Sequence, residues 1–506
     1  MKIDLKEKIS LHPFVFSIFP ILFIFSINSQ EIKFEEILPL IIIILFVMFT
    51  IVFSLGTILK NKKAGSFIGS IGILLFFSYG HIYKLITSDI EIRHFIIISI
   101  FVGFFIISLI YFTKTKRKLN NATKIANGVA IVLILISATN IFSDNIQGNN
   151  SLDFINMNQE VKIDSLQIYE KPDVYYIILD AYSGNNTLKN YFGHDNNEFI
   201  SFLEEENFKV IKNANSNYPT TFLSLSSSLN MKHLECIEGL ESCMNPSAAY
   251  KMIQNNKVME KFKQKGYTII NSNSGWPPTR DFDISSENLC NKYSGIINSE
   301  ITITLISNSI LNPIYVKLYE ENKREHVLCI LSELEEVHHR YDRPIFVFSH
   351  IMLPHHPYVF GPNGESVSPE KLEIGWEGLE DDKEGYLNQL KFTNKKIKQI
   401  VKNIIDESEI PPIIIIQGDH GLKIKIEDLN NPSNKMLREK FSILNAYHLP
   451  NQNESVHNNI TPVNSFKIVI NQLFNEENEL LSDSSYWLSS GPHSNFKEIT
   501  SILNED

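Results

Sequence analysis

The sequence predicts an N-terminal bundle of five transmembrane helices and, after a short connector, an α/β domain whose mostly parallel central sheet is flanked by helices. Three observations support this prediction. Long apolar stretches are confined to the first 150 residues, basic residues concentrate in alternate loops between them, and short apolar runs alternate with helical patterns in the remainder. We place the bundle at residues 1–143, the connector at 144–171 and the α/β domain at 172–506.

The first part of the chain has five apolar stretches of spanning length, since a transmembrane helix needs ~20 apolar residues. They are Pro13–Asn28, Ile37–Leu59, Ser66–Ile86, His94–Phe112 and Ala126–Phe142. The first is short and contains Pro20, and a signal peptide is the competing interpretation of it. The four further stretches and the lack of a clear small-residue cleavage site favour a span.

The loops predict the orientation, because Lys and Arg concentrate in cytoplasmic loops. The N-terminal segment and the second and fourth connections together hold eleven basic residues, whereas the first and third connections hold three. With five spans and a cytoplasmic start, the chain after about Phe142 lies outside. The spans carry few ionisable side chains, chiefly His81, so a membrane anchor is favoured over a transport path.

Charge divides at the same place as hydropathy. Residues 1–150 contain 14 Lys and Arg against 8 Asp and Glu, a balance of +6, and the whole chain carries −11, which leaves −17 for the remainder. An acidic domain is a poor nucleic-acid binder, because phosphate backbones need a basic face. An anionic substrate would need a local cation here, which is a first indication of a metal ion.

The cysteines agree with the predicted topology. All four, Cys236, Cys243, Cys290 and Cys329, lie in the part of the chain predicted to be outside. An even number in an oxidising compartment indicates two disulfides with three possible pairings, and Cys236–Cys243 is the easiest loop to close. Free buried thiols are the alternative. No Cys/His spacing indicates a structural zinc site.

Short apolar runs in the α/β domain predict buried strands of a parallel sheet. They are Val174–Leu179, Tyr267–Asn271, Pro344–Ser349 and Pro412–Gln417. Helical patterns at Phe199–Asn207 and Tyr386–Glu407 lie between strands. In such sheets the chemistry lies at the carboxyl ends of the strands, so the residues that follow these runs are the functional candidates.

Acidic and histidine residues follow three of the predicted strands. Asp180 closes the first, His350 and His355 follow the third, and Gly418-Asp419-His420-Gly421 closes the fourth. An adjacent carboxylate and imidazole can reach one cation at a tight turn, and clustered histidines indicate metal or phosphate contact. Taken singly, Asp180 is equally well explained as a helix cap or turn former, and a lone histidine is more often structural.

A pair of threonines follows a proline in the segment Asn217–Met231. The segment can form a helix with Thr220 or Thr221 near its N-terminus, where backbone N–H groups and the helix dipole favour an anion. When this element is taken alone, ordinary N-capping by a threonine, a common role, is the better explanation.

These elements together resemble the alkaline phosphatase/sulfatase superfamily. Within it, the chain is similar to a group of bacterial sulfatase-like hydrolase/transferases, marked by five stretches in this order: PDVYYIILDAY, SNYPTTFLSLSSSLNM, FVFSHIMLPHHPYVF, QGDHG and FSILNAYHLP…TPVNSF. The whole chain is similar to the membrane-anchored branch typified by lipoteichoic acid synthase and the phosphoethanolamine transferases, which also has five N-terminal spans. The signature of formylglycine sulfatases, Cys or Ser followed by x-Pro-x-Arg, is absent. The resemblance implies a multi-pass protein of the bacterial inner membrane with its catalytic domain on the periplasmic or extracellular side.

The resemblance also implies roles for individual residues. The implied ligands of a divalent metal ion (Mn, Zn or Mg) are Asp180, Thr221, Asp419 and His420. Thr221 matches the nucleophile, because the family pattern Thr-x-x-Ser-Leu fits its position, and Thr220 is the fallback. His355 matches a histidine that contacts the substrate phosphate. His350 is a weaker candidate for that contact or for a second metal ion.

The implied activity is transfer of a phosphoglycerol, phosphoethanolamine or similar phospho-head group from a membrane phospholipid to an envelope glycan or lipid. It would proceed through a covalent phospho-threonine, with the metal ion and His355 stabilising charge on the phosphate. A hydrolase of phosphate or sulfate esters is the first alternative, and an inactive scaffold or sensor is the second. Retention of Asp180, Thr221, Asp419 and His420 together argues against the scaffold.

Overall fold

The computed structural model of the protein describes residues 10–28, 32, 34–87, 93–115, 118–149, 171–235, 246–291, 300–341, 344–367, 382–422, 430–450, 455–489 and 495–505. The chain divides into two compact units, one of Met1–Ile155 with Gly295–Tyr319 and the other of Asn156–Ser294 with Glu320–Asp506. The predicted connector lies mostly outside the described residues, so its boundaries stay a prediction. The grouping of residues 295–319 with the N-terminal helices differs from the predicted continuous α/β domain.

The first unit contains a helix at each of the five predicted stretches. These are α1 (His12–Ile27), α2 (Phe34–Ile58), α3 (Lys62–Thr87), α4 (His94–Lys114) and α5 (Asn120–Asn149). Among the described residues, four helices, α2 to α5, are long and apolar enough to cross a membrane. Helix α1 is also apolar but has only 16 residues, so the predicted count of five spans is supported only in part.

Helix α1 lies in the interior of the first unit, where it packs against α2, α3 and α5. Its N-terminus is held by Asn127 of α5, whose side-chain oxygen accepts hydrogen bonds from the backbone N–H groups of Leu11 and His12, both at 3.0 Å. The Nδ1 atom of His12 also lies 2.6 Å from the hydroxyl of Ser70 in α3. In contrast, α2 and α4 turn large apolar side chains such as Phe46 and Phe104 outward, as lipid-facing helices do.

The second unit is built on a seven-stranded sheet with the order β2-β7-β6-β1-β5-β3-β4. Its strands are β1 (Val174–Leu179), β2 (Lys209–Val210), β3 (Thr268–Ser272), β4 (Glu287–Leu289), β5 (Ile345–Ile351), β6 (Ile413–Gly418) and β7 (Asn445–His448). Strands β3, β4, β5, β1 and β6 pair in parallel, and β7 pairs antiparallel with both β6 and β2. The prediction of a mostly parallel sheet is confirmed, and the four predicted strands are β1, β3, β5 and β6.

Helices cover the sheet and connect its strands. They are α6 (Asn185–Phe192), α7 (Asn197–Glu205), α8 (Thr221–Ser228), α9 (Pro246–Gln254), α10 (Lys257–Gln264), α11 (Pro277–Arg280), α12 (Glu300–Ser307), α13 (Asn312–Glu336), a 3₁₀ helix (Val337–Arg340), α14 (Lys383–Glu407), α15 (Asn434–Phe441), α16 (Pro462–Phe474) and α17 (Thr500–Asn504). A separate hairpin pairs β8 (Tyr486–Leu488) with β9 (Phe496–Glu498). Helix α12 and the first turns of α13 belong to the first unit.

Two hydrophobic clusters, one on each face of the sheet, explain why the central strands are apolar throughout. Successive side chains of a strand point to opposite faces. In β1, Tyr175, Ile177 and Leu179 join the cluster that contains α14, whereas Tyr176 and Ile178 join the cluster that contains α10 and α16. Every residue of β1 is therefore buried, as the uninterrupted apolar run predicted.

A disulfide between Cys290 and Cys329 joins the chain after β4 to helix α13, with the two Cα atoms 6.1 Å apart. These two cysteines are therefore paired, which excludes the free-thiol alternative for them. The predicted pair Cys236–Cys243 lies outside the described residues. The observed bond ties α13 to the chain that follows the edge strand β4.

Candidate active site

The candidate site lies where three neighbouring strands end. Because β1 pairs in parallel with both β5 and β6, its last residue, Leu179, is level with Ile351 of β5 and with Gly418 of β6. The residues that follow or end these strands are therefore brought to the same edge of the sheet. They include Asp180 and Asp419, which the sequence singled out.

Asp180, Asp419 and His420 form a buried group whose ligand atoms all lie within 4.8 Å of one another, so they could hold a metal ion. The Nε2 atom of His420 is 3.7 Å from Oδ1 of Asp180 and 3.6 Å from Oδ2 of Asp419. These separations are too long for hydrogen bonds. Two ligand atoms that bind the same ion at about 2.1 Å in tetrahedral geometry are expected about 3.4 Å apart, and the observed separations are similar.

Asp419 and His420 are each oriented by a hydrogen bond made through the other polar atom of the side chain. The backbone N–H of Ala181 donates to Oδ1 of Asp419 at 3.0 Å. The Nδ1 atom of His420 donates to the carbonyl of Gly421 at 2.7 Å, which leaves Nε2 with a lone pair. Ala181 adopts a positive φ of 57°, and this turn directly after β1 aims its N–H at Asp419.

The two glycines of the Gly418-Asp419-His420-Gly421 motif are explained by lack of space. A Cβ atom on Gly418 would lie 2.5 Å from the carbonyl oxygen of Tyr182, and one on Gly421 would lie 2.5 Å from that of Glu439. Backbone atoms cannot move away easily, so a side chain at either position would displace the turn that carries Asp419 and His420.

The polar atoms of the group fit a divalent cation. Within the described part of the chain, Oδ1 of Asp180 and Oδ2 of Asp419 are buried and have no hydrogen-bond partner. A buried carboxylate oxygen without a donor is costly unless something else neutralises it. Two carboxylates and one imidazole are ligands of Zn²⁺ and Mn²⁺, and carboxylates also suit Mg²⁺, so the donor set accommodates the predicted metal without choosing among the three.

His350 adds a second imidazole to the site. It lies within β5, is fully buried, and its Nε2 atom is 3.6 Å from Oδ2 of Asp180. Its Nδ1 atom lies 2.9 Å from the hydroxyl of Thr279, which in turn lies 2.7 Å from the hydroxyl of Ser274. Thr279 and Ser274 were not predicted, because nothing in their local sequence marks them; only the folded chain brings them to His350.

His355 lies on the loop after β5, and its backbone N–H donates to the carbonyl of Asp180 at 3.1 Å. Gln389 of α14 holds this loop by donating to the carbonyls of Pro354 and His355 and by accepting from the N–H of Val359. The Nδ1 atom of His355 lies 2.5 Å from the carbonyl of His356, so in the neutral ring Nε2 is an acceptor. Burial lowers the pKa of His355, which favours that neutral form.

Electrostatics set the charge of Asp180. Burial alone would raise the pKa of this carboxyl group, but the interaction with His355 and the contacts with His350 and His420 outweigh burial, and the net effect lowers its pKa. Asp180 is therefore ionised at neutral pH, as a metal ligand must be.

Lys323 is a further candidate that the sequence did not indicate, because it is a single lysine in a stretch of charged residues with no motif around it. Burial lowers its pKa to about 8, and the negative charge of Asp180 opposes part of that effect. Lys323 also lowers the pKa of His355, so its ammonium group acts on the same site. The next residue, Arg324, fixes α13 by donating to the carbonyls of Val359 and Gly364 at 2.6 and 2.8 Å.

Thr221 is the first residue of α8, and Thr220 is the N-cap residue before it. The hydroxyl of Thr220 is buried and caps no backbone N–H, which argues against the ordinary capping role. Ser224, the serine of the Thr-x-x-Ser-Leu pattern, donates instead to the carbonyl of Tyr218 at 2.9 Å and so holds the turn before the helix. In the described part of the chain the Thr221 hydroxyl forms no hydrogen bond, so its predicted roles as nucleophile and metal ligand stay predictions.

The end of α15 and the residue directly after it contact both the threonine loop and the Asp-His turn. The N–H of Ser216 donates to the carbonyl of Phe441 at 2.8 Å, and Asn215 forms a β-bridge with Ser442. One residue earlier, the carbonyl of Lys440 accepts from the N–H of Gly421 at 2.8 Å. The chain leading to Thr220 and Thr221 therefore shares one supporting segment with the turn that carries His420.

Comparisons with known proteins find similar structures but no similar sequence family. The lipooligosaccharide phosphoethanolamine transferase A from Neisseria meningitidis, an integral membrane protein, is 10% identical with a TM-score of 0.41, covering 89% of this chain and 86% of that one. The C-terminal periplasmic domain of EptC from Escherichia coli, in complex with Zn, is 13% identical with a TM-score of 0.42, covering 67% and 94%. The corresponding domain of phosphoethanolamine transferase EptC from Campylobacter jejuni is 13% identical with a TM-score of 0.36, covering 63% and 95%.

No protein-family model and no curated protein matches the chain. The similar structures are of the type that the sequence motifs indicated, namely phosphoethanolamine transferases of the alkaline phosphatase/sulfatase superfamily. Because these identities do not exceed 13% and the TM-scores do not exceed 0.42, we argue the function from the site itself.

Proposed function

We propose that this protein is a membrane-anchored, metal-dependent transferase that moves a phosphoglycerol, phosphoethanolamine or similar phospho-head group from a membrane phospholipid to an envelope glycan or lipid. The observation that carries the proposal is the buried group of Asp180, Asp419 and His420 at the carboxyl edge of the sheet, where one oxygen of each carboxylate has no partner among the described residues. A cation held there would offset the negative charge of this domain and attract an anionic phosphate.

The metal ligands in this proposal are Asp180, Asp419, His420 and Thr221. A bound Mn²⁺, Zn²⁺ or Mg²⁺ would act as a Lewis acid that lowers the pKa of a hydroxyl and neutralises charge on phosphate oxygens. The backbone N–H groups at the start of α8 point toward the same end of the helix as Thr221 and suit an anion.

Two displacements at phosphorus make up the reaction. In the first, the Thr221 oxygen bonds to phosphorus and the bond from phosphorus to the lipid alcohol breaks, so that a phospho-threonine ester and diacylglycerol form. The proton lost by Thr221 is the one that the departing alcohol oxygen gains. In the second, an acceptor hydroxyl bonds to phosphorus, the ester bond to Thr221 breaks, and the acceptor proton returns to the threonine.

Two further side chains support these steps. Because Nδ1 of His355 is committed to a carbonyl, its neutral ring can take up a proton at Nε2 from an attacking hydroxyl and release it to a leaving oxygen. When protonated, the same nitrogen donates to a phosphate oxygen, which is the contact predicted from the sequence. Lys323 supplies a positive charge for the non-reacting phosphate oxygens.

The membrane helices explain the choice of a lipid donor. With residues 1–143 as a bundle of five spans, including the short α1, the donor headgroup would not have to leave the bilayer to reach the domain at 172–506. The eleven basic residues of the alternate loops support a cytoplasmic N-terminus and a periplasmic or extracellular catalytic domain in a bacterial inner membrane. No nucleic acid is expected as a partner of this acidic domain.

The experiment that tests the proposal is peptide mass spectrometry of the full-length protein incubated in phospholipid bilayers without an acceptor. We expect an added mass on the Tyr218–Leu225 peptide that equals one phospho-head group and is localised to Thr221. Thr221→Ala should lose the adduct, whereas the matched variant Thr220→Ala should keep it.

Other results would change the proposal in defined ways. An adduct on Thr220 would move the nucleophile by one residue. Head-group release at an undiminished rate without any adduct, and without a requirement for an acceptor, would favour the hydrolase. Absence of both adduct and head-group release in metal-loaded protein would overturn the proposed activity.

A further inference from the structure

Residues 300–319, which follow β4 by some ten residues in the sequence of the catalytic half, belong to the unit of N-terminal helices. This stretch, EITITLISNSILNPIYVKLY, has only two charged residues, Glu300 and Lys317, and is not one of the five predicted spans. It consists of the short helix α12, a turn, and the beginning of α13. Eight helical residues extend only about 12 Å, so α12 cannot cross a bilayer core of about 30 Å.

Apolar side chains of α12 are buried among the N-terminal helices. Ile301 and Leu305, at 1% and 6% exposure, share a cluster with Ile21 and Phe25 of α1 and Ile37 of α2. The buried apolar side chains of α12 therefore face α1 and α2. The packing identifies α12 as an added element of the helix bundle.

The turn after α12 docks on α3 through backbone hydrogen bonds. The N–H of Gly80 donates to the carbonyl of Asn308, and the N–H of Ile310 donates to the carbonyl of Phe76, both at 3.0 Å. A Cβ atom on Gly80 would lie 2.5 Å from the Cα of Asn308, so this close approach requires glycine. Such pairing satisfies non-helical backbone, which is the condition for it to lie at membrane depth.

The outer face of this segment is apolar and uncovered. Leu311, Ile314 and Leu318 are 43%, 65% and 51% exposed. Ile314 and Leu318 are four residues apart and lie on one side of α13, and Leu311 ends the turn directly before that helix. This side is continuous with the turn that docks on α3. Helix α4, which packs against α3, exposes Phe104 to 63% in the same way.

We propose that residues 300–319 form a membrane-embedded loop whose side chains Leu311, Ile314 and Leu318 contact the acyl chains of the bilayer. Lipid is the occupant because the loop packs on α3, a helix long and apolar enough to cross a membrane, and exposes large apolar side chains as α4 does. The protein would thus be attached to the bilayer a second time, far along the chain from the predicted spans. The inference rests on the membrane location in the proposed function and is independent of the reaction.

Site-specific photocrosslinking in the full-length protein tests this inference. The photoreactive residue p-benzoyl-phenylalanine replaces Ile314 or, in a second variant, Leu318, and the protein is reconstituted in vesicles of phosphatidylethanolamine and phosphatidylglycerol. Glu321, an exposed residue on the same helix, is the matched control, and Phe104 of α4 is the control for membrane location.

After illumination, mass spectrometry should find phospholipid adducts at positions 314, 318 and 104 and none at 321. Adducts at 104 but at neither 314 nor 318 would overturn the inference and leave the membrane anchor intact. Crosslinks from 314 to a second copy of the chain would overturn it in favour of a protein interface. Absence of adducts at all four positions would overturn the membrane location itself, whatever the activity of the protein.

Discussion

Both edges of the central sheet collect acidic and histidine side chains, yet the two edges differ in how those side chains are satisfied. The carboxyl edge carries the group of Asp180, Asp419 and His420. At the other edge, the segments that lead into β5 and β6 bring together His338, His339 and Glu407. Within the described residues, each group has ligand atoms within 4.8 Å of one another and could hold a metal ion by distance alone.

The difference lies in the partners of the ligand atoms. In the second group, Oε2 of Glu407 already lies 2.7 Å from Nε2 of His339 and 3.3 Å from Nε2 of His338, and the Glu407 side chain is 48% exposed to water. In the first group, the facing oxygens of Asp180 and Asp419 are buried and have no partner among the described residues. Unmet acceptors in a buried site, rather than proximity alone, distinguish the candidate metal centre.

The largest expected effect comes from Asp180→Asn, because this change removes a buried charge that we assign to the metal. We expect loss of bound metal and a loss of head-group transfer well beyond the ~10–100-fold that removal of an outer-shell partner costs. Metal content of the purified full-length protein by elemental analysis, together with the rate of head-group release from vesicles, measures both.

Glu407→Gln is the matched control for Asp180→Asn. It removes the carboxylate of the group of His338, His339 and Glu407 and keeps the shape of the side chain. It should leave metal content and transfer unchanged. If Glu407→Gln lost the metal and Asp180→Asn kept it, the assignment of the two edges would be reversed.

A smaller effect is expected at Thr279, whose hydroxyl lies 2.9 Å from Nδ1 of His350. Thr279→Val keeps the shape but removes this partner, so His350 is no longer held with Nε2 toward Asp180. We expect the rate of head-group transfer to fall by about 10–100-fold, which is the usual cost of losing a side chain that orients a metal-site histidine. Thr279→Ser, which retains the hydroxyl, should restore most of the rate; equal losses in both variants would indicate a packing role for Thr279 instead.

The residues that meet at the carboxyl edge could be singled out from the sequence because their signal is local. A buried strand must be apolar on both faces, and an acidic residue directly after it stands out, which is how Asp180 was found. The Asp419-His420 pair stands out for the same reason, between two glycines that the turn requires. These three residues meet in the structure because β1 and β6 are neighbours in parallel.

Other parts of the site could not be predicted because they depend on tertiary contacts. Thr279 and Lys323 come from α11 and α13, where single polar residues carry no pattern, and only the packing of those helices brings them to the site. The polar strand β7 was missed because its residues Asn445 and His448 lack the apolar run of a central strand. Residues 300–319 were missed as a membrane element because each of their apolar runs is too short to span a bilayer.

Lys323 allows the charge balance of the carboxyl edge to be tested apart from the metal ligands. Lys323→Met removes a positive charge but no proposed ligand, so we expect metal content to be unchanged. Loss of a charge-assisted hydrogen bond to a phosphate oxygen, ~1.5–3 kcal/mol, would raise the KM for the phospholipid about 10- to 160-fold. Lys323→Arg should recover part of this loss.

The pH dependence of the same variant gives a second measurement. Because the pKa of Lys323 is lowered to about 8, the wild-type protein should bind the donor more weakly as the pH rises through 8 and the ammonium group loses its proton. Lys323→Met should lack this step. An unchanged KM across the wild type and the variant would remove Lys323 from the site.

The smallest effect is expected at the amino end of β1, where Asp173 mirrors Asp180 at the other end of the strand. Asp173 accepts a hydrogen bond from the N–H of Ile345 at 2.9 Å, but burial dominates and raises its pKa to about 6 from 3.8. A raised pKa in the folded state contributes stability that is present below about pH 4 and is lost as the pH rises through about 6.

Asp173→Asn removes the ionised form and keeps an acceptor for Ile345, so it should raise the Tm at pH 7.5 by roughly 2–4 °C and change it little at pH 4. Thermal unfolding of the detergent-solubilised protein at the two pH values measures this; a lower Tm at pH 7.5 would mean that the charge of Asp173 stabilises the fold, and that both ends of β1, not one, favour an ionised carboxylate.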